Sequence, residues 1–106
     1  MSSLLPKKID NLLEVVKGCI QSGRYRDTFY AVQRQKERKI VLPKILHVLN
    51  TGRHEKRKDS YDKAFRAWNY AIRGVSLNGL DLRVIISFDE ERGLLIITAF
   101  YIEERR

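Results

Sequence analysis

The residues able to do chemistry in this chain do not assemble into a familiar catalytic signature. The sequence has no Gly-rich phosphate loop, no HExxH or CxxC and no GxSxG. No Ser/His/Asp arrangement is suggested, and the acidic residues are too scattered to read as a carboxylate pair. What remains is a set of Arg, Lys and Tyr residues on expected strands and on the loop between them. Such a set suits RNA. Arg clamps a phosphate through two parallel hydrogen bonds. Cleavage through the 2′-hydroxyl needs a base, an acid for the leaving oxygen and cations for the phosphorane charge. Lys, Tyr or His can move those protons, so no metal or other cofactor is expected. A basic sheet that binds RNA without cutting it would carry the same residues. Cys19 is the single cysteine, which excludes a disulfide framework and a Cys-based metal site. It reads as a small buried side chain. His47 has no second ligand at useful spacing.

The charge distribution narrows the partner. The net charge is +8 with a pI near 9.9. Residues 24–66 hold thirteen basic and five acidic groups, whereas the segments on either side nearly balance. Concentrated in one block, that excess points to a polyanion whose neutralised phosphates would give salt-dependent affinity. The 106 residues suit one domain with a single core, and the composition is that of a globular protein. The runs Val84–Ile86 and Leu94–Ile97 are too short to span a bilayer. Lys7, Lys8 and Asp10 interrupt any signal-peptide core, so a cytoplasmic address is expected.

Periodicity supplies the elements that must position these side chains. Leu5, Ile9, Leu12, Leu13, Val16 and Ile20 form one apolar stripe, predicting a helix capped by Ser2 or Ser3 and running to about Ser22. Pro6 would sit in its first turn, Gly18 would mark close packing and Gly23 would stop it. Arg24–Arg26 reads as a connector. Asp27 or Thr28 caps a second helix to about Arg38, on which Arg34 and Arg38 share a face. Ile40-Val41 breaks the register, Pro43 opens a third helix and Thr51-Gly52 ends it. Arg53–Lys58 alternates as a polar edge strand, and 59–66 reads as a loop. Ala67–Val75, Leu82–Phe88 and Leu94–Ile102 complete the strands, with Asn78-Gly79 as a two-residue hairpin.

The expected fold is therefore α+β: three N-terminal helices packed on a four-stranded antiparallel meander, a two-layer sandwich in one domain over 1–106. Residues 1–23 would be a helical extension of a 24–106 core. Pairing Phe88 with Leu94 puts Leu82, Val84, Ile86, Ile96, Thr98 and Phe100 on one face. Arg83, Ile85, Ile97 and Tyr101 then fall on the other. A tight Asn78-Gly79 turn would place Arg73 with Leu82, and a bulge would place it with Arg83, so the face covered by the helices stays open.

The run Tyr30-Ala31-x-x-Arg34-x-x-x-Arg38-x-Ile40, followed by Ile45-x-x-Val48-Leu49-x-x-Gly52 and by Ile96-Ile97-Thr98, resembles a bacterial uncharacterised-domain family. That family is similar to RelE/ParE-superfamily toxins, including the BrnT and MqsR types. The similarity covers roughly Thr28–Tyr101. Two positions depart from the pattern: Tyr30 replaces a helix-start His, and Val41 replaces the usual Ser or Thr cap. The resemblance implies a RelE-like sandwich and a metal-independent endoribonuclease that cleaves mRNA and is held inactive by a cognate acidic antitoxin. Carried over by position, it implies Lys58 and Asn69 as active-site members, with Tyr101 and its expected neighbour Arg83. The wider pool for proton transfer and phosphorane stabilisation adds Tyr61 and Arg73. Arg34, Arg38, Arg53, Lys56, Arg57 and Arg66 would hold RNA phosphates. The rivals are a non-catalytic RNA-binding or protein-interaction module of the same fold, and a gyrase-directed toxin of the ParE type.

Overall fold

A computed structural model describes residues 5–103, which form three helices and six strands. The expected Ser2 or Ser3 cap lies outside the described residues. Helix α1 spans Leu12–Gln21, β1 Tyr25–Asp27, α2 Phe29–Arg38 and α3 Leu42–Thr51. Strand β2, Arg53–His54, leads into a single 3₁₀ turn at Lys56–Lys58, followed by β3 at Ser60–Asp62. The long strands are β4 Ala67–Val75, β5 Asp81–Asp89 and β6 Gly93–Tyr101.

The sheet is six-stranded and mixed rather than a four-stranded antiparallel meander. Its order is β1-β6-β5-β4-β2, with β3 also pairing to β4. The expected connector Arg24–Arg26 contains most of β1, which runs parallel to β6 with Tyr25 opposite Leu94. Its backbone is captured there because the residue after it, Thr28, donates to Ile96 O and accepts from Ala31 N to cap α2. Helix α2 then ends on Lys39 in the left-handed conformation.

Helix α1 starts well after the predicted point. Pro6–Ile9 instead runs along the sheet, where side chains satisfy its backbone. Trp68 Nε1 donates to Pro6 O at 2.7 Å, and Ile9 N donates to Tyr70 Oη at 3.0 Å. Gly18 is exposed with open space around it, so it marks no close packing. Gly23, at φ 75°, does end the helical region.

The charged run Arg53–Lys58 is not a strand throughout. It has no apolar side to hold it flat, and a buried carboxylate interrupts the ladder. Glu55 N still donates to Ala71 O, but Ala71 N is taken by Asp59 Oδ1 at 3.0 Å. The edge of β4 is thus shared by two short strands, β2 opposite Ile72–Arg73 and β3 opposite Ala67–Asn69. The Asp59 side chain is fully buried and also accepts from Lys8 Nζ at 3.0 Å and His54 Nε2 at 2.7 Å.

The long hairpins decide which face is which. Asn78-Gly79 does not form a two-residue turn, because Val75 pairs with Asp81 and Ser76–Leu80 form a wider loop. Ser76 organises it: its amide donates to Leu80 O, and its hydroxyl accepts from Leu80 N. The resulting register sets Arg73 against Arg83, and Ile72 against Val84. A second irregularity falls in β6. Ile86 pairs with Ile96 but Ile85 pairs with Thr98, so Ile97 is a bulge. Up to Ile96 the expected faces hold; beyond it they reverse. Ala99 and Tyr101 fall on the Leu82 side, and Thr98 and Phe100 fall on the Arg83 side.

Helices α1 and α3 cover the Leu82 side. Leu12 and Val16 of α1 join Ile45, Val48 and Leu49 of α3 over Tyr70, Ile72, Leu82, Val84, Ile86, Leu94, Ile96 and Ala99. Helix α2 runs along the β6 edge and contributes Ala31, with Ile40 filling the junction to α3. At the end of α3 a glycine is needed for space rather than for its backbone angle. Gly52 has φ −80°, but a Cβ there would meet Arg73 O at 2.5 Å and Val48 O at 2.6 Å.

Candidate functional site

The face that α1 and α3 leave uncovered carries a row of arginines. Cross-strand pairing aligns Arg53 on β2, Arg73 on β4 and Arg83 on β5, and β6 ends the row with Phe100. Like charges directly opposite one another repel, so the row requires anions. Glu55, just past β2, supplies one: Arg83 Nε donates to its Oε1 at 2.6 Å and Arg73 Nη1 to its Oε2 at 3.4 Å. Asp81 supplies the other, accepting from Arg73 Nε at 3.1 Å and Nη2 at 2.5 Å. Arg38 reaches in from the last turn of α2, its Nη1 donating to Thr98 Oγ1 and Ala99 O. Its guanidinium lies 5.8 Å from the Phe100 ring centre and that of Arg83 lies 5.7 Å away, so Phe100 is flanked by two cations.

These contacts bias protonation in a consistent direction. The hydrogen bond from Arg83 leads in holding the Glu55 carboxyl below its ordinary value, against the opposing effect of burial. Arg73 does the same to Asp81, and Asp81 in turn raises Arg73 further above its already high value. At neutral pH Glu55, Asp81 and Arg73 are thus ionised. Arg38 and Arg53 leave it with two positive charges beyond Arg73, Arg83 and their carboxylates. Glu55, Arg83 and Arg73 keep 15–19% of their side-chain surface exposed.

The sequence-predicted site residues divide between this face and the rest of the molecule. Arg73, Arg83, Arg38 and Arg53 come together in the row, and Asn69 lies on the same face further along β4. Tyr101 is not beside Arg83: the Ile97 bulge turns it to the helical side, opposite Leu82, where Lys44 Nζ donates to its hydroxyl at 3.3 Å. Tyr61 also faces away, packed edge-on against Trp68 at 5.5 Å. Lys56, Arg57 and Lys58 are exposed on the 3₁₀ turn, and Arg66 is exposed with φ 54° on the β3–β4 connection. Arg34 pairs with Glu37 and lies 4.7 Å from the Tyr30 ring centre. The basic block is therefore not one patch, and two of the row's arginines come from outside it.

Sequence reasoning missed Glu55 and Asp81. The available signal was faint: Glu55 is the lone acid within Arg53–Lys58. Asp81 is the first residue after the hairpin loop, and only the true register places it beside Arg73. Among the described residues, no three His, Cys, Asp or Glu side chains converge as metal ligands. None of the described helices is long and apolar enough to cross a membrane.

Every member of the cluster, from Arg38 to Phe100, lies within residues 28–101, which match the family described as Domain of unknown function (DUF4258). The chain belongs to that family. No curated protein matches it. Within this DUF4258 chain, the Lys8–Asp59 and Trp68–Pro6 contacts tie the preceding segment to the family domain.

Proposed function

We propose that this DUF4258 protein binds single-stranded RNA on the arginine row and cleaves it there without a metal, as the toxin of a toxin–antitoxin pair. The observation that carries the reading is the Glu55 carboxylate held between Arg73 and Arg83, next to the cation-flanked ring of Phe100. In the reaction, a ribose 2′-oxygen attacks the adjacent phosphorus while its proton passes to Glu55. Arg73 and Arg83 hold the phosphorane oxygens, which carry more charge than the ground-state phosphate. The P–O5′ bond then breaks, the 5′-oxygen takes a proton from a water that recovers one from Glu55, and a 2′,3′-cyclic phosphate remains. Phe100 offers a stacking surface for a base beside that phosphate. The toxin reading itself rests on the resemblance to RelE/ParE-superfamily toxins, whereas the sheet is six-stranded and mixed rather than the expected four-stranded one. An acidic antitoxin segment would inhibit by presenting carboxylates to the same guanidiniums.

One observation favours a second reading, binding without cleavage. A carboxylate held below its usual pKa is a weak base, and both Glu55 oxygens are engaged by arginines. Incubating the protein with a defined mRNA in EDTA separates the two. Fragments ending in a cyclic phosphate, reduced at least ~100-fold by Glu55→Gln and by Arg83→Ala, support the nuclease. Salt-sensitive binding without fragments leaves only the binding module. No association with RNA at low salt would refute both.

A further inference from the structure

The uncovered face holds a second feature at the far end of the same strands. A groove of about 410 Å³ is lined there by Leu95 and Ile97 of β6, by Asn69 of β4, and by two aromatic rings. Tyr30 contributes from the β6 side, at the start of α2, and Phe65 from the β4 side. Phe65 is 80% exposed, and Tyr30, with Arg34 over one side of its ring, is still 47% exposed. The volume is in the range of small-ligand pockets, about 300–1,000 Å³. The Asn69 carboxamide makes no hydrogen bond to another described residue, so its donors and acceptor are available to a ligand.

The charge around the groove is opposite in character to that of the arginine row. Asp62 and Asp89 line it, each using one oxygen to bind the amides of its own turn, and Arg92 is the cation lining it with them. Arg92 is paired with the other Asp89 oxygen, and Arg34, over the Tyr30 ring, is paired with Glu37, so Asp62 supplies the net charge at the groove. A phosphate gains no cation there, whereas an uncharged planar ring with amino groups at its edge needs none. Asn69 lies four residues from Arg73 along β4, about 13 Å at the rise of a strand. That spacing is within reach of a nucleotide adjoining one whose phosphate rests on the row.

We propose that this groove is a nucleobase subsite, in which Tyr30 and Phe65 stack on one base of a single-stranded RNA and Asn69 reads its hydrogen-bonding edge. The inference rests on the RNA reading given above and adds a source of base preference to it. Stacking on aromatic side chains tolerates any base; a carboxamide at the ring edge discriminates among them.

The test uses 2′-O-methyl hexanucleotides, which cannot be cleaved, with binding followed by fluorescence anisotropy. Homopolymers of each base are compared with the same oligomers carrying a single abasic position, on wild type and on Asn69→Ala and Tyr30→Ala variants whose melting temperatures are checked. One homopolymer should bind best, and its abasic form about tenfold or more weaker. In Asn69→Ala the preference among bases should collapse, and in Tyr30→Ala the abasic penalty should shrink. Equal binding of intact and abasic oligomers by wild type, or a preference unchanged in Asn69→Ala, overturns the subsite while leaving the RNA reading standing. Absence of binding to every oligomer overturns both.

Discussion

Gly52→Ala and Gly18→Ala are the same chemical change and should have opposite effects. At Gly52 the new methyl would sit 2.5 Å from Arg73 O and 2.6 Å from Val48 O. Comfortable separations for carbon are about 3.5–4.0 Å, so the methyl intrudes by about 1 Å on two sides at once. Neither neighbour can yield cheaply. Val48 O accepts the Gly52 amide at 2.7 Å, and Arg73 belongs to β4, which pairs with β2 on one side and β5 on the other. Gly74 marks the same close approach, since a Cβ built on it would meet the Gly52 Cα at 3.1 Å. Overpacking of this kind costs about 1–3 kcal/mol. For a domain of this size that corresponds to a melting temperature about 5–20 °C lower. Gly18 is exposed in the interior of α1 with open space around it, so alanine there should add about 0.5–1 kcal/mol through helix propensity alone. Thermal and urea denaturation followed by circular dichroism would measure both. A Gly52→Ala protein melting within about 2 °C of wild type would refute the packing argument. So would a Gly18→Ala protein that loses as much stability as Gly52→Ala.

Two further outcomes concern the ionised groups. Removing the fully buried Asp59 carboxylate in Asp59→Ala strips acceptors from Lys8, His54 and the Ala71 amide together. It should cost about 3 kcal/mol or more in a urea midpoint measurement, whereas Lys8→Ala, whose side chain is one-third exposed, should cost about 1 kcal/mol or less. Glu55, Asp81 and Asp89 all have depressed carboxyl pKa values, led respectively by hydrogen bonds from Arg83, Arg73 and the Arg92 amide. Their stabilisation is present above the unfolded carboxylate pKa and is lost as pH falls through the folded values. The melting temperature should therefore hold steady above about pH 5 and drop below about pH 4. Glu55→Gln should drop less steeply than wild type; an identical slope would remove Glu55 from the account.

Helices α2 and α3 were legible because their signals are local: Thr28 as a cap, Pro43 in the first turn of α3 and Gly52 after its last. The alternation in β4, β5 and β6 was equally plain, as was the pairing of Phe88 with Leu94. Strand β1 was not, since three residues of Tyr-Arg-Asp carry no period of their own and become a strand only by lying against β6. The first helix was over-extended for a related reason. The stripe continues back to Leu5, but Pro6 O and Ile9 N find partners in Trp68 and Tyr70, more than sixty residues away.

The candidate site shows the same division. Residue types alone were enough to expect arginines on a sheet and a polyanionic partner for the net charge of +8. Which arginines meet was decided by two features of register, the five-residue loop at Ser76–Leu80 and the bulge at Ile97. Side chains alternate along a strand, so each one-residue slip moves every later side chain to the opposite face. One such choice set Arg73 beside Arg83, and the other sent Tyr101 to the helices and Phe100 to the arginines. Composition and period determined that a basic sheet would form. Only the tertiary pairing determined that Glu55 would lie between two of its arginines, because that contact joins the residue just past β2 to residues of β4 and β5 that no local pattern links.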